Sequence, residues 1–267
     1  MTLILKLRAL PDQRLDLSPL LPHLLAGKSE REIAAIELGT TKARATAGDI
    51  FTLDMGAPDT IRFEGGSEKL DRVGLGLQDG EIHVAGNVGC EAGRLMAGGR
   101  LSIRGSAGPY AGSGMSGGRL AIGGDAGERL GGPLAGEMAG MTGGLIVVAG
   151  SAAARAGDRM RRGTIIIEGD AGAYAGSRMT AGTLVVAGKA GPLPGYLQRR
   201  GTLVFGAVTD MSPGFVDCGA SELVFLALLR RFVLAESLTA GKLLGQRLTR
   251  YAGDMAVLGK GEMFVGG

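Results

Sequence analysis

The sequence predicts an all-β chain: a right-handed parallel β-helix of about 19 residues per coil, with a C-terminal capping helix and a small N-terminal segment. Three observations lead there. Gly80, Gly99, Gly118, Gly144, Gly163, Gly182 and Gly201 open seven copies of one segment, at steps of 19, 19, 26, 19, 19 and 19 residues. The plainest copies are GTIIIEGDAGAYAGSRMTA (163–181) and GRLSIRGSAGPYAGSGMSG (99–117). A fixed period of this length marks stacked units. Secondly, positions two and four after each opening Gly are apolar: Ile82/Val84, Leu101/Ile103, Leu120/Ile122, Ile146/Val148, Ile165/Ile167, Leu184/Val186 and Leu203/Phe205. Period-two alternation is the signature of a strand with one buried face. Thirdly, a 19-residue unit is too short to hold a crossover helix as well as its strands, which leaves parallel strands stacked coil on coil. Six to seven coils spaced about 4.8 Å apart give a rod of about 30 Å.

The rest of the unit agrees with a narrow, stacked interior. Ala-Gly pairs recur at 107–108, 111–112, 171–172 and 175–176. Gly allows positive φ and close backbone approach at corners, and Ala fills tight space. Met96, Met115, Met141, Met160 and Met179 each fall three residues before the next opening Gly. Stacked, they form a ladder of adaptable apolar side chains, read as packing rather than metal ligation. The long copy carries seven extra residues between Gly127 and Met141, expected as a loop on one face. Thr60–Gly65 resembles the same strand some 21 residues upstream and reads as a less regular first coil.

Position three of each strand points outward: His83, Ser102, Ala121, Val147, Ile166, Val185 and Val204. The last four form an apolar stripe that a lone soluble chain rarely leaves uncovered. Either the chain's own tail or another subunit must lie over it. Val147, Ile166, Val185 and Val204 are therefore the candidate subunit interface, and on that reading Val185→Asp weakens assembly without unfolding the rod.

Three regions follow: an N-terminal capping segment (1–58), the repeats (59–206) and a C-terminal cap (207–267) with a helix over 221–236. Leu3–Leu7, Ile33–Leu38 and Ile50–Leu53 read as strands, and Ser18-Pro19 with LLPHLLAG as a short helical turn. SELVFLALLRRFVLAES (221–237) reads as a helix with Ser221 as N-cap. It is apolar nearly all round, so it is expected to be buried on more than one side. One role for it is to close the open end of the coil stack, whose strand edge needs cover. RYAGDMAVLGKGEMFVGG (250–267) returns to strand and turn chemistry.

Composition narrows the function. Fifty of 267 residues are Gly, but without a three-residue period, which excludes collagen. A hydrophobic share of 45% argues against disorder. The net charge of +3 is spread along the chain, and Arg161-Arg162 and Arg199-Arg200 read as solvated turns, so no nucleic-acid partner is indicated. The two cysteines, Cys90 and Cys218, form no C-x-x-C and suit a reducing cytosol. With no signal peptide and only a short apolar run at Leu223–Leu229, a cytoplasmic, non-membrane location is expected.

Catalytic patterns are missing. His23 and His83 do not sit in a zinc-ligand spacing, and no G-x-S-x-G elbow is present. Gly74-Leu75-Gly76 lacks the rest of a dinucleotide loop, and Gly259-Lys260-Gly261 the rest of a phosphate loop. Asp125 and Asp170 hint at a calcium-binding repeat that the other copies do not sustain. The reading is no catalytic, cofactor-binding or metal-binding residue in this chain.

The copies ending in GDAGAYAGSRMTAGTLVVAG resemble the β-helix of the C-subunit family of formylmethanofuran dehydrogenase, a fold shared with the C-terminal domain of glutamate synthase. The resemblance includes LLAGKSEREIAAIELG (24–39), AGDIFTL (47–53), the helix at 221–236 and RYAGDMAVLGKGEMFV (250–265). It implies a non-catalytic scaffold subunit of one of two enzymes. The composition leans to the formyltransferase/hydrolase complex of methylotrophic bacteria, which carries formyl groups from formyl-tetrahydromethanopterin through a methanofuran-type cofactor to formate. Its implied partners are a metal-dependent amidohydrolase-like hydrolase, a formyltransferase and a further subunit. The other is the molybdenum or tungsten formylmethanofuran dehydrogenase of methanogens. An independent enzyme with a site on the β-helix face near 127–141 is the contrasting reading.

Overall fold

Each of the seven copies supplies one strand, at Glu81–Val84, Arg100–Ile103, Arg119–Ile122, Leu145–Val148, Thr164–Ile167, Thr183–Ala190 and Arg200–Val208. A computed structural model describes residues 2–40, 43–220 and 223–267. The seven strands pair parallel and in register, so Ile82, Leu101, Leu120, Ile146, Ile165, Leu184 and Leu203 form one row. All seven are fully buried. Burial of that face enforces the register, because a slip of one residue would turn the row into solvent.

Two further lines of contact tie each copy to the next. Val88, Ala107, Ala126, Ala152, Ala171 and Ala190 bridge in parallel. The amides of Gly93, Gly112, Gly131, Gly157, Gly176 and Gly195 donate to carbonyls of the preceding copy, such as Gly112 N–H to Ala92 O at 2.8 Å. Between these lines lie the Ala and Met rows, with Met96, Met115, Met141, Met160 and Met179 fully buried, as packing requires. Gly118 shows why the corner must be Gly: its φ is +75°, and a Cβ there would sit 2.3 Å from Gly98 O.

Ala57–Glu64 supplies the irregular first unit, with Thr60 opposite Glu81. Thr2–Leu7 pairs parallel with it, and Phe51–Asp54 closes that edge antiparallel. Pro22–Leu25 is the expected short helix. The strand expected over Ile33–Leu38 is corrected to a helix at Glu30–Ala34, followed by a strand at Glu37–Thr40. The cause is a capping box: Ser29 Oγ accepts from Glu32 N–H while Glu32 Oε2 accepts from Ser29 N–H. Ala45–Thr46, Glu37–Thr40, Leu15–Asp16 and Leu70–Asp71 make a small second sheet beside the main one.

At the other end Lys260–Gly266 joins parallel to Arg200–Val208, Leu248–Gly253 pairs antiparallel with it, and Val216–Ala220 forms the rim. Among the described residues the main sheet has thirteen strands. The open end is thus covered by strands and not by the helix, which corrects the capping role given to it above. Backbone pairing satisfies an edge in a way a helix packed on side chains cannot. The helix spans Val224–Glu236 and follows Leu223, which makes no side-chain capping bond. Ser221, the expected N-cap, lies outside the described residues. A shorter helix, Leu238–Leu243, is capped by Ser237, whose Oγ accepts from Ala240 N–H at 3.1 Å.

Candidate interaction surface

The outward positions line up as strictly as the inward ones. Arg62, His83, Ser102, Ala121, Val147, Ile166, Val185 and Val204 share one row, and Phe264 extends it. The row divides in the middle. Val147, Ile166, Val185 and Val204 are buried beneath Leu226, Leu229 and Val233 of the long helix, with Ala240, Leu243, Leu244, Leu248 and Phe264 completing a second core. The candidate interface at these four residues is therefore corrected: of the two covers the sequence allows, the chain's own tail is the one present. Leu226, Leu229 and Val233 recur at i, i+3 and i+7, the spacing that sets one helix stripe on a flat apolar row. Burying such side chains contributes about 1.5–3 kcal/mol each.

The other half of the row stays open. Thr60, Arg62, His83, Ser102, Arg104, Glu168 and Glu236 are among the residues lining a cleft of about 730 Å³, with Ala121 and Val147 of the outward row. His83 Nε2 lies 3.2 Å from Glu81 Oε2, and both side chains are half-exposed, so His83 is a surface histidine. An ion pair between Arg119 and Glu236 pins the last turn of the helix to the sheet at the boundary between covered and open halves.

On another face, turn residues at positive φ form an Arg/Tyr ridge. The guanidinium of Arg155 lies 4.7 Å from the Tyr174 ring centre, and that of Arg129 lies 6.0 Å from Tyr110. Tyr174 and Tyr196 meet edge to face at 5.9 Å. Beneath them the buried carboxylate of Asp158 accepts from Ser177 Oγ (2.8 Å) and Arg178 Nε (2.9 Å). The seven-residue insertion docks here instead of standing free. Glu137 pairs with Arg94, accepts from Leu134 N–H (2.9 Å), and lends its carbonyl to Arg159 (2.9 Å). Burial pushes the Glu137 carboxyl up, but the Leu134 amide and Arg94 outweigh it and hold it below the usual range. Nothing in the repeat singles out Glu137, because it falls where the period is broken.

Among the described residues, no three or more His, Cys, Asp or Glu gather as a metal site, and no helix is long and apolar enough to cross a membrane. Burial first, then the Asp71 charge, pushes the Cys90 thiol up, against the opposing Arg14. Gly74 and Gly76 are turn glycines with φ of +70° and +73°, and Lys260 and Gly261 lie in a strand.

A model of the GXGXG motif matches residues 60–196, the stretch from the first irregular strand to the Arg/Tyr ridge. The chain belongs to the GXGXG-motif family. Within that family it is homologous to the C subunit of the Fhc complex. It is 46% identical over 85 residues to the C subunit of the formyltransferase/hydrolase complex Fhc of Methylorubrum extorquens, a match spanning 32% of this chain and 32% of that relative. A solved chain extends the likeness. It comes from the crystal structure of the formyltransferase/hydrolase complex FhcABCD of Methylorubrum extorquens in complex with methylofuran. That chain superposes with a TM-score of 0.94 at 46% identity, over 99% of each chain. The likeness therefore takes in both flanks and the covering helix as well as the GXGXG-motif repeats.

Proposed function

We propose that this protein is the scaffold subunit of a formyltransferase/hydrolase complex of one-carbon metabolism. The observation that carries the reading is the match over 99% of both chains at 46% identity to a chain of FhcABCD. A likeness confined to the repeats would support only a shared fold. In this reading the repeats wind as a right-handed parallel β-helix over residues 59–206, of the kind found at the C-terminus of glutamate synthase, with caps at 1–58 and 207–267. The partners are hydrolase, formyltransferase and a further subunit. They take formyl-tetrahydromethanopterin through a methanofuran-type cofactor to formate in the cytoplasm, and a metal in the hydrolase supplies the hydrolytic chemistry. The present chain holds other subunits in place and turns nothing over itself.

Native purification of the tagged chain, with identification of what accompanies it, tests the reading. The expected companions are formyltransferase and amidohydrolase-like chains, and the purified single chain is expected to be inert towards formyl cofactors. Companions carrying redox-metal motifs would replace the reading with the dehydrogenase. Turnover by the isolated chain would replace it with an enzyme.

A further inference from the structure

The helix Val224–Glu236 carries two apolar stripes, and the chain buries one. Leu226, Leu229 and Val233 face the sheet. On the opposite side Val224, Leu228 and Phe232 recur at i, i+4 and i+8, exposed by 81%, 65% and 44%, with Phe225 beside them at 43%. Six of the fifteen large hydrophobic side chains exposed among the described residues fall within Val224–Leu238. Single exposed apolar residues are ordinary, but a contiguous row along one helix marks a contact surface. A helix that met only water on this side would carry polar residues there.

The charges around the row state what it would accept. Arg231, next to Phe232, is exposed beside the row, Arg230 lies on the flank of the covered stripe with its guanidinium against Gly245, and the one described carboxylate of the helix, Glu236, is already held by Arg119. The charge bordering the row is thus the cation of Arg231, with no free carboxylate among the described residues of the helix. In a symmetric pair of copies each rim would meet its own kind. A different chain with an apolar patch rimmed by Asp or Glu would satisfy both features. We propose that the outward face of this helix, centred on Leu228 and Phe232, is the docking surface for a different subunit of the assembly. That identity of the partner rests on the reading given under Proposed function. The covered stripe thus has an indirect part in assembly: Val147, Ile166, Val185 and Val204 seat the helix that presents the contact.

The test compares wild type, Leu228→Asp and Arg231→Glu, each tagged, co-expressed with its partners and purified natively. Melting curves of the single chains come first, and both variants are expected to match wild type because neither side chain is buried. Leu228→Asp is expected to recover at least about tenfold less partner, as substitution at the centre of a contact does. Arg231→Glu is expected to lose partner to a smaller degree. Amide exchange over 224–236 is expected to slow in the assembled wild type relative to the single chain. If Leu228→Asp recovers the full complement and exchange is unchanged, the docking surface is wrong while the scaffold reading stands. If wild type recovers no formyltransferase or hydrolase chain, the scaffold reading falls and takes the partner's identity with it. A single chain that sediments as a dimer, and becomes a monomer on Leu228→Asp, would assign the face to a second copy and overturn the proposal.

Discussion

Gly117 and Gly136 are both needed as glycine, for opposite reasons. A Cβ on Gly117 would lie 2.2 Å from the carbonyl oxygen of Ala97, in the backbone of the preceding copy. Gly136 has nothing within 4 Å but a φ of +88°. Gly117→Ala is expected to cost about 3 kcal/mol by forcing two paired copies apart, and Gly136→Ala about 1 kcal/mol from its backbone conformation alone. Denaturant unfolding of the two variants checks the difference, and equal costs would contradict the close contact between copies. Val185→Asp belongs here too. With Val185 fully buried under the helix, the substitution is expected to destabilise the fold itself by on the order of 4 kcal/mol, visible in the same experiment. The alternation made the direction of Val185 legible. Its cover was not, since the second and fourth positions declare an interior while the third says only that something apolar must arrive. Cys90 gives a chemical test. A thiol whose ionisation is pushed up by burial carries less thiolate at pH 8, so Cys90 should alkylate more slowly than exposed Cys218, as peptide mapping after limited iodoacetamide would show.

The insertion and the helices are where local sequence and structure diverge. Ser29 and Glu32 had the spacing of a capping box, so the helix at Glu30–Ala34 was written in the chain but obscured by the apolar run beside it. The docking of the insertion was not legible, since Arg94 lies 43 residues from Glu137 and only the stacking of copies brings them together. Its anchoring has a defined pH range. Glu137 ionises below its ordinary value, so the carboxylate's contribution is fully present above the unfolded value of about 4.3 and is lost as pH falls through the depressed folded value. Proteolysis within 128–140 is expected to stay flat from pH 8 to pH 5 and to increase only in stronger acid. An increase already at pH 6 would mean that Glu137 does not hold the loop.

At the scale of the molecule, the repeat announced the stacked strands and the two faces of the sheet. Its ends were harder to read, because Arg200–Val208 and Lys260–Gly266 are neighbours in space with about 50 residues between them in sequence. The pairing of that last strand closes an edge that parallel stacking would leave open. A chain ending at Gly259 is expected to self-associate, with oligomers appearing by light scattering where the full chain shows one species. A monodisperse truncated chain would place the edge protection elsewhere.

The long copy has one more consequence. Arg119 stays opposite Leu145 and Ile122 opposite Val148 although 26 residues separate the pairs instead of 19. The register between neighbouring strands is therefore independent of how much chain is spent at this corner. The corner is an addressable port in an otherwise invariant lattice. Foreign sequence threaded in beside the exposed Met138 should leave every neighbouring rung where it was.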